Sequence, residues 1–158
     1  MAASPETRLR ELGFELPEAP APAGAYVPAT RAGDLVFTAG QLPFRAGELH
    51  LKGKVGDAVS VEEAREAARL CALNALAAAT TQTGALDNIS RIVKVTGFVA
   101  SAPGFDRQPE VLNGASELLG EVFGEAGLHA RSAIGVAELP MDVPVEVELV
   151  VVPVPVED

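Results

Sequence analysis

Two stretches of this 158-residue chain repeat their apolar positions with the period of a helix. The first begins at Ser60-Val61-Glu62-Glu63. There a Ser hydroxyl can accept from the exposed N–H groups of a helix start, and Glu63 can return a bond to the cap. From Val61 to about Gln82 the chain has no Gly or Pro, and Ala64, Ala67, Ala68, Cys71, Ala75 and Ala78 form a narrow stripe of small side chains. Such a stripe lets a helix lie close against a sheet, and Gly84 is placed to end it. The second stretch, Asp106–Gly124, carries Val111, Leu112, Ala115, Leu118, Leu119, Val122 and Phe123 along one face.

Between and around these stretches the period falls to two. Arg91–Ala100 is short and β-branched, and reads as a strand. Tyr26–Thr38 predicts two short strands broken by a turn at Arg31-Ala32-Gly33-Asp34. Arg45-Ala46-Gly47 predicts a further hairpin between Leu42 and Leu49-Leu51. Ser132–Glu138 and Val143–Val152 predict two more strands, with Leu139-Pro140-Met141-Asp142 as the turn. The last strand places Val145, Val147, Leu149 and Val151 on one side. Val150 and Val152 share the other side with Glu146 and Glu148. Its C-terminal half is therefore apolar on both faces, which calls for cover from a Pro-rich arm or from another chain. Oligomerisation is the favoured reading.

The N-terminus adds a short helix around Thr7–Leu12, signalled by Ser4-Pro5. The extended segment 17–24 follows, broken by Pro17, Pro20 and Pro22. Residues 1–20 then read as an extension and arm, and residues 21–158 as one domain. No run approaches the length of a membrane helix, and the start lacks the basic-then-apolar order of a signal peptide, so a cytoplasmic protein with no membrane partner is expected.

Charge narrows the partners. Acidic residues outnumber basic ones 22 to 12, for a formal net charge of −10. A nucleic-acid partner needs a basic footprint that this chain lacks. One cysteine, Cys71, excludes an intrachain disulfide and a multi-cysteine metal cage; with only His50 and His129, no metal site is expected. Cys71 sits on the Ala stripe and reads as a buried filler. No phosphate loop, nucleophile elbow or zinc motif occurs. Arg131, just before a strand in a chain poor in cations, is either a surface ion-pair partner or a planar fork for a carboxylate. Glu146 and Glu148 share a face, and are either solvated or, in a cleft, tuned for proton transfer. Asn113 lies off the helix stripe as a polar surface residue, and Tyr26 is a packing ring or a ligand-facing hydroxyl.

The motifs APAGAYVPA (21–29), LVFTAGQLP (35–43), VTGFVAS (95–101) and, above all, ARSAIGVAELPMDVPVEVE (130–148) resemble the RidA/YjgF family of reactive-intermediate deaminases, in particular a longer bacterial subgroup. The resemblance implies an α+β, chorismate-mutase-like single domain: a mixed sheet with two helices packed on one face, assembled as a homotrimeric barrel with clefts between subunits. It implies hydrolysis of 2-imino and enamine acids to 2-keto acids and ammonia, without a cofactor. Arg131 matches the residue that holds the substrate carboxylate, and Glu146 the acid that assists water and proton transfer. Tyr26, Gly40 and Asn113 match substrate-binding positions, Asn113 only with one extra residue between it and Arg131. Ala133 stands where the family often has Cys, Ala39 where it has Ser, and Glu148 adds a second carboxylate. The alternatives are a non-catalytic trimeric binder of small carboxylates, serving as sensor or scaffold, and a related hydrolase with a different substrate. A ribonuclease role, ascribed to some members, is disfavoured by the charge.

Overall fold

The capping box at Ser60 forms as expected. The Glu63 N–H donates to Ser60 Oγ (3.1 Å) and the Ser60 N–H to Glu63 Oε2 (3.0 Å), which starts the longest helix of the computed structural model. The structure describes residues 2–19, 21 and 24–157. Its elements are α1 (Pro5–Glu11), β1 (Ala29–Ala32), β2 (Leu35–Thr38), α2 (Val61–Thr83), β3 (Ile89–Ala100), α3 (Gln108–Phe123), β4 (Ala130–Val136) and β5 (Val145–Pro153). The strands make one mixed sheet in the order β1-β2-β5-β3-β4, parallel between β3 and β4 and antiparallel elsewhere. This is the chorismate-mutase-like α+β architecture. No helix among the described residues is long and apolar enough to cross a membrane.

Both long helices cover the same face of the sheet, α2 over β5, β2 and β1, and α3 over β3 and β4. The Ala stripe of α2 is buried from end to end, and Val145, Val147, Leu149 and Val151 of β5 meet it with Ile92, Val95 and Val99 of β3. Small side chains let the layers close up until backbones touch. A Cβ at Gly114 of α3 would collide with the main-chain carbonyl of Arg65 on α2, so the two helices pack together only because that position is glycine.

The opposite face is open. Rows across β4, β3 and β5 run Ile134–Phe98–Glu146 and Ser132–Thr96–Glu148, and Phe37 of β2 pairs with Val150. Ile134 is 43% and Phe37 39% exposed there. Among the described residues the start of the N-terminal arm lies elsewhere: α1 packs on α3 with Leu9 in the core, and Phe14 stacks with the Arg69 guanidinium of α2, all on the helix side. Of the Pro-rich segment, Pro20, Pro22 and Ala23 lie outside the described residues.

One expected element is shorter than predicted. The hairpin around Arg45-Ala46-Gly47 reduces to a single bridge between Arg45 and Glu48. The carbonyls of Leu42 and Phe44 are taken instead by the buried Asn74 Nδ2 of α2 (2.9 and 3.0 Å), and Gln41 bridges to Val147. Side-chain capture of the main chain outcompetes the ladder.

Gly114→Ala is expected to destabilise the fold by about 1–3 kcal/mol, because backbone rather than a movable side chain opposes the new methyl. Gly120→Ala on the same helix, where a Cβ meets nothing within 4 Å, is expected to be neutral or to stabilise by a few tenths, up to about 1 kcal/mol. Urea midpoints of the two variants check the pair.

Candidate active site

Arg131 lies on the edge strand β4, in one row with Val95 and Leu149, so its side chain leaves the sheet on the helix side. There α3 presents a polar stripe of Pro109, Asn113 and Ser116, spaced i, i+4, i+7 and thus on one side of the helix. Arg131 Nη1 donates to Asn113 Oδ1 (2.9 Å) and to Ser116 Oγ (3.1 Å), and Nη2 donates to the Pro109 carbonyl (3.3 Å). Three of its five N–H donors are thus engaged, all by neutral acceptors. None of the ion pairs among the described residues involves Arg131. Its Nε–H and one Nη2–H have no partner among the described residues, and these neighbouring donors are the pair that grips a carboxylate in two parallel bonds.

Glu146 leaves β5 on the open face, and its carboxylate makes no hydrogen bond among the described residues. Partial burial, followed by the neighbouring Glu148 charge, pushes its carboxyl above the usual range. Gly40 stands against it: a Cβ there would lie 2.5 Å from Glu146 Oε1, so any other residue would displace the acid. Gly40 and Tyr26, the latter 54% exposed, also line a cavity of about 1020 Å³ with Phe14, Leu42 and Asn74. Cys71 is fully buried, donates to the Val145 carbonyl (3.4 Å), and is held protonated by burial first and then by Glu146. It is the filler its position on the Ala stripe predicts.

The five residues thus form two groups, not one. Arg131 and Asn113 are in direct contact, while Gly40 and Glu146 adjoin each other and Tyr26 shares the cavity wall with Gly40. Arg131 is level with Val95 and Glu146 with Phe98 on the strand between them. That is three residues along β3 and two strand spacings across, or about 14 Å of backbone separation, with side chains on opposite faces. A single chain cannot bring both onto one small ligand. Ser116, which adjoins Arg131, is not among the residues the sequence pointed to, and His129, which reaches Ser116, figured there only in the argument against a metal site; the i, i+4, i+7 spacing beside the apolar stripe was the available signal for Ser116.

A mixed sheet layered on two helices, with an arginine at its edge that has no ion-pair partner among the described residues and an acid on its open face, defines a chorismate-mutase-like α+β domain. Residues 6–151 match the family model described as "YjgF/chorismate_mutase-like, putative endoribonuclease". The chain belongs to this YjgF/RidA family. It is 43% identical over 144 residues to protein TCP17 of Trypanosoma cruzi, covering 90% of each chain. It is 32% identical over 138 residues to a 2-iminobutanoate/2-iminopropanoate deaminase of Dermatophagoides farinae, covering 86% of this chain and 91% of that one. The crystal structure of Atu1372 from Agrobacterium tumefaciens, a protein of unknown function, superposes with a TM-score of 0.87 at 46% identity, covering 94% of this chain and 92% of that one.

The raised Glu146 carboxyl has a thermodynamic consequence. The folded state binds this proton more tightly than the unfolded chain does, so ionising Glu146 costs stability. Glu146→Gln is expected to stabilise the fold at neutral pH. The gain should vanish as pH falls below the ordinary carboxylate range, where both states are protonated. Urea titrations of the two proteins at both pH values read the difference directly.

Proposed function

We propose that this protein hydrolyses 2-imino and enamine acids to 2-keto acids and ammonia, as a homotrimer whose clefts lie between copies. The observation that carries the reading is the Arg131 fork: a guanidinium pinned by neutral acceptors, with two adjacent donors free and no acid to balance it. A small ligand with one carboxylate supplies what that site lacks. The similarity to a named deaminase supports the reaction class.

In this mechanism Arg131 and Asn113 of one copy receive the ligand, the fork binding its carboxylate while Asn113 holds the guanidinium. Glu146, Gly40 and Tyr26 come from the next copy, since one chain keeps the two groups on opposite faces of its sheet. A protonated imine carbon is already electron-poor, so positioning accounts for much of the catalysis. Water adds to that carbon while Glu146 takes a proton from it, giving a carbinolamine. Glu146 then returns the proton to the nitrogen, and the C–N bond breaks as the hydroxyl oxygen becomes the ketone and releases its proton. The balance is imino acid plus water to keto acid plus ammonia. A carboxyl raised by burial and by Glu148 suits both directions of transfer, a role worth about 10²–10⁴-fold in rate.

Ala39 and Ala133 leave the site without a hydroxyl and a thiol at those positions, and this favours one second reading, a carboxylate binder without turnover. In that case ligand binding survives Glu146→Gln, and neither protein releases keto acid. Cleavage of RNA is disfavoured by the excess of acidic residues, 22 against 12.

Arg131→Ala is expected to lower kcat/KM for 2-iminobutanoate and 2-iminopropanoate by about 10²-fold or more, since two charge-assisted bonds are lost. The variant should still fold, because the Arg131 head group contributes only partly buried polar contacts. Keto-acid release from freshly generated imine reads the rate. Equal rates in the two proteins would overturn the assignment.

A further inference from the structure

His129 lies two residues before Arg131, immediately ahead of β4. Its Nδ1 is 2.6 Å from the Gly127 carbonyl oxygen and its Nε2 is 2.9 Å from Ser116 Oγ. A carbonyl oxygen only accepts, so Nδ1 must carry a proton. In the neutral ring Nε2 then has only a lone pair, and the Ser116 hydroxyl must donate to it. The Ser116 lone pairs are left to face Arg131 Nη1, which donates to Oγ at 3.1 Å. The bonds run in one direction, from Arg131 to Ser116 to His129 to Gly127, an arrangement in which each polarises the next.

The chain ends on a rigid anchor. Gly127 is buried, and a Cβ there would collide with the Leu119 carbonyl of α3, so its peptide is packed directly on the helix. Without His129 the Ser116 hydroxyl is free to rotate and point its hydrogen at the guanidinium, where it would repel Nη1–H. With His129 that orientation is excluded. Both Nη1 hydrogens are then held by Asn113 and Ser116, and the Nε–H and one Nη2–H stay without a partner among the described residues.

We infer that Ser116 and His129 are positioning residues that hold the Arg131 fork ready for a ligand carboxylate. This rests on the reading that the fork binds a carboxylate. The pair also has the spacing of a nucleophile and its base, but Ser116 Oγ already accepts from a guanidinium, which draws electron density from the oxygen and opposes attack.

Two measurements test it. The first is the rate of rotation about the Arg131 Cζ–Nη bonds, read by ¹⁵N NMR of the ligand-free protein. Rotation should be slow in the parent, faster in Ser116→Ala and His129→Ala, and slow again in His129→Gln, whose amide keeps one donor and one acceptor. The second is the affinity for 2-oxobutanoate by calorimetry. Each alanine variant should bind about tenfold more weakly, with no further loss in the double variant and with kcat at saturating imine nearly unchanged. Unchanged Nη rotation in both alanine variants would overturn the inference, whatever the protein's activity. Labelling of Ser116 by a fluorophosphonate would also overturn it, making Ser116 a nucleophile. If Arg131→Ala leaves 2-oxobutanoate affinity intact, the carboxylate reading fails, while Nη rotation still decides the positioning role.

Discussion

A guanidinium held by three neutral acceptors keeps its full charge at a defined place and in a defined plane. That is the state of Arg131. Asn113, Ser116 and the Pro109 carbonyl satisfy part of its hydrogen-bonding capacity without offering a negative charge. In a chain with a formal charge of −10, a carboxylate partner from within would have been easy to supply. None among the described residues does so, and under the proposed function that place falls to the ligand's carboxylate. The docking of α3 over β3 and β4 therefore does two jobs: it buries the Val111, Leu112 and Ala115 side of the helix, and it presents the adjacent polar stripe to the edge strand.

The alternation of side chains along a strand sets the second constraint. Arg131 shares a row with the buried Val95 and Leu149, and Glu146 shares one with the open-face residues Phe98 and Ile134. No rotamer of either side chain can undo that parity. A protein that uses both groups on one small molecule must bring in a second copy, and the same open face carries the apolar residues that an association would bury. Phe98 and Ile134 share the acid's row, and Phe37 and Val150 lie further along the same face. Need for a partner and surface for a partner coincide, which is why an oligomer and a shared site are proposed together. Closed symmetric assemblies make every such interface equivalent.

Local features were legible in the sequence. The Ser60 capping box, the Ala stripe and the spacing from Val111 to Phe123 act within one helix, and the structure reproduces them with ends shifted by a residue or two. The strands of the ARSAIGVAELPMDVPVEVE segment were equally readable, as β4 and β5. Features set by distant docking were not. The hairpin near Gly47 gave way to Asn74, thirty residues further on, whose amide binds the loop carbonyls. Asn113 looked like solvated surface because its partner is eighteen residues away on a strand. The opposite faces of Arg131 and Glu146 were hidden by the turn between β4 and β5, which breaks any count of alternation across it. His129 and Ser116 carry no motif at all; their link exists only once 127–131 lies against α3.

The central claim is that one active site draws Arg131 and Glu146 from different copies, and subunit mixing tests it most directly. Arg131→Ala and Glu146→Gln proteins, each inactive alone, would be unfolded together in equal amounts, refolded, and assayed for keto-acid release from 2-iminobutanoate. Random assembly leaves both groups intact in about a quarter of the shared sites, so about a quarter of the parent rate should return. If the mixture stays as inactive as its parents although mixed oligomers have formed, both residues must act from the same chain, and the account is contradicted.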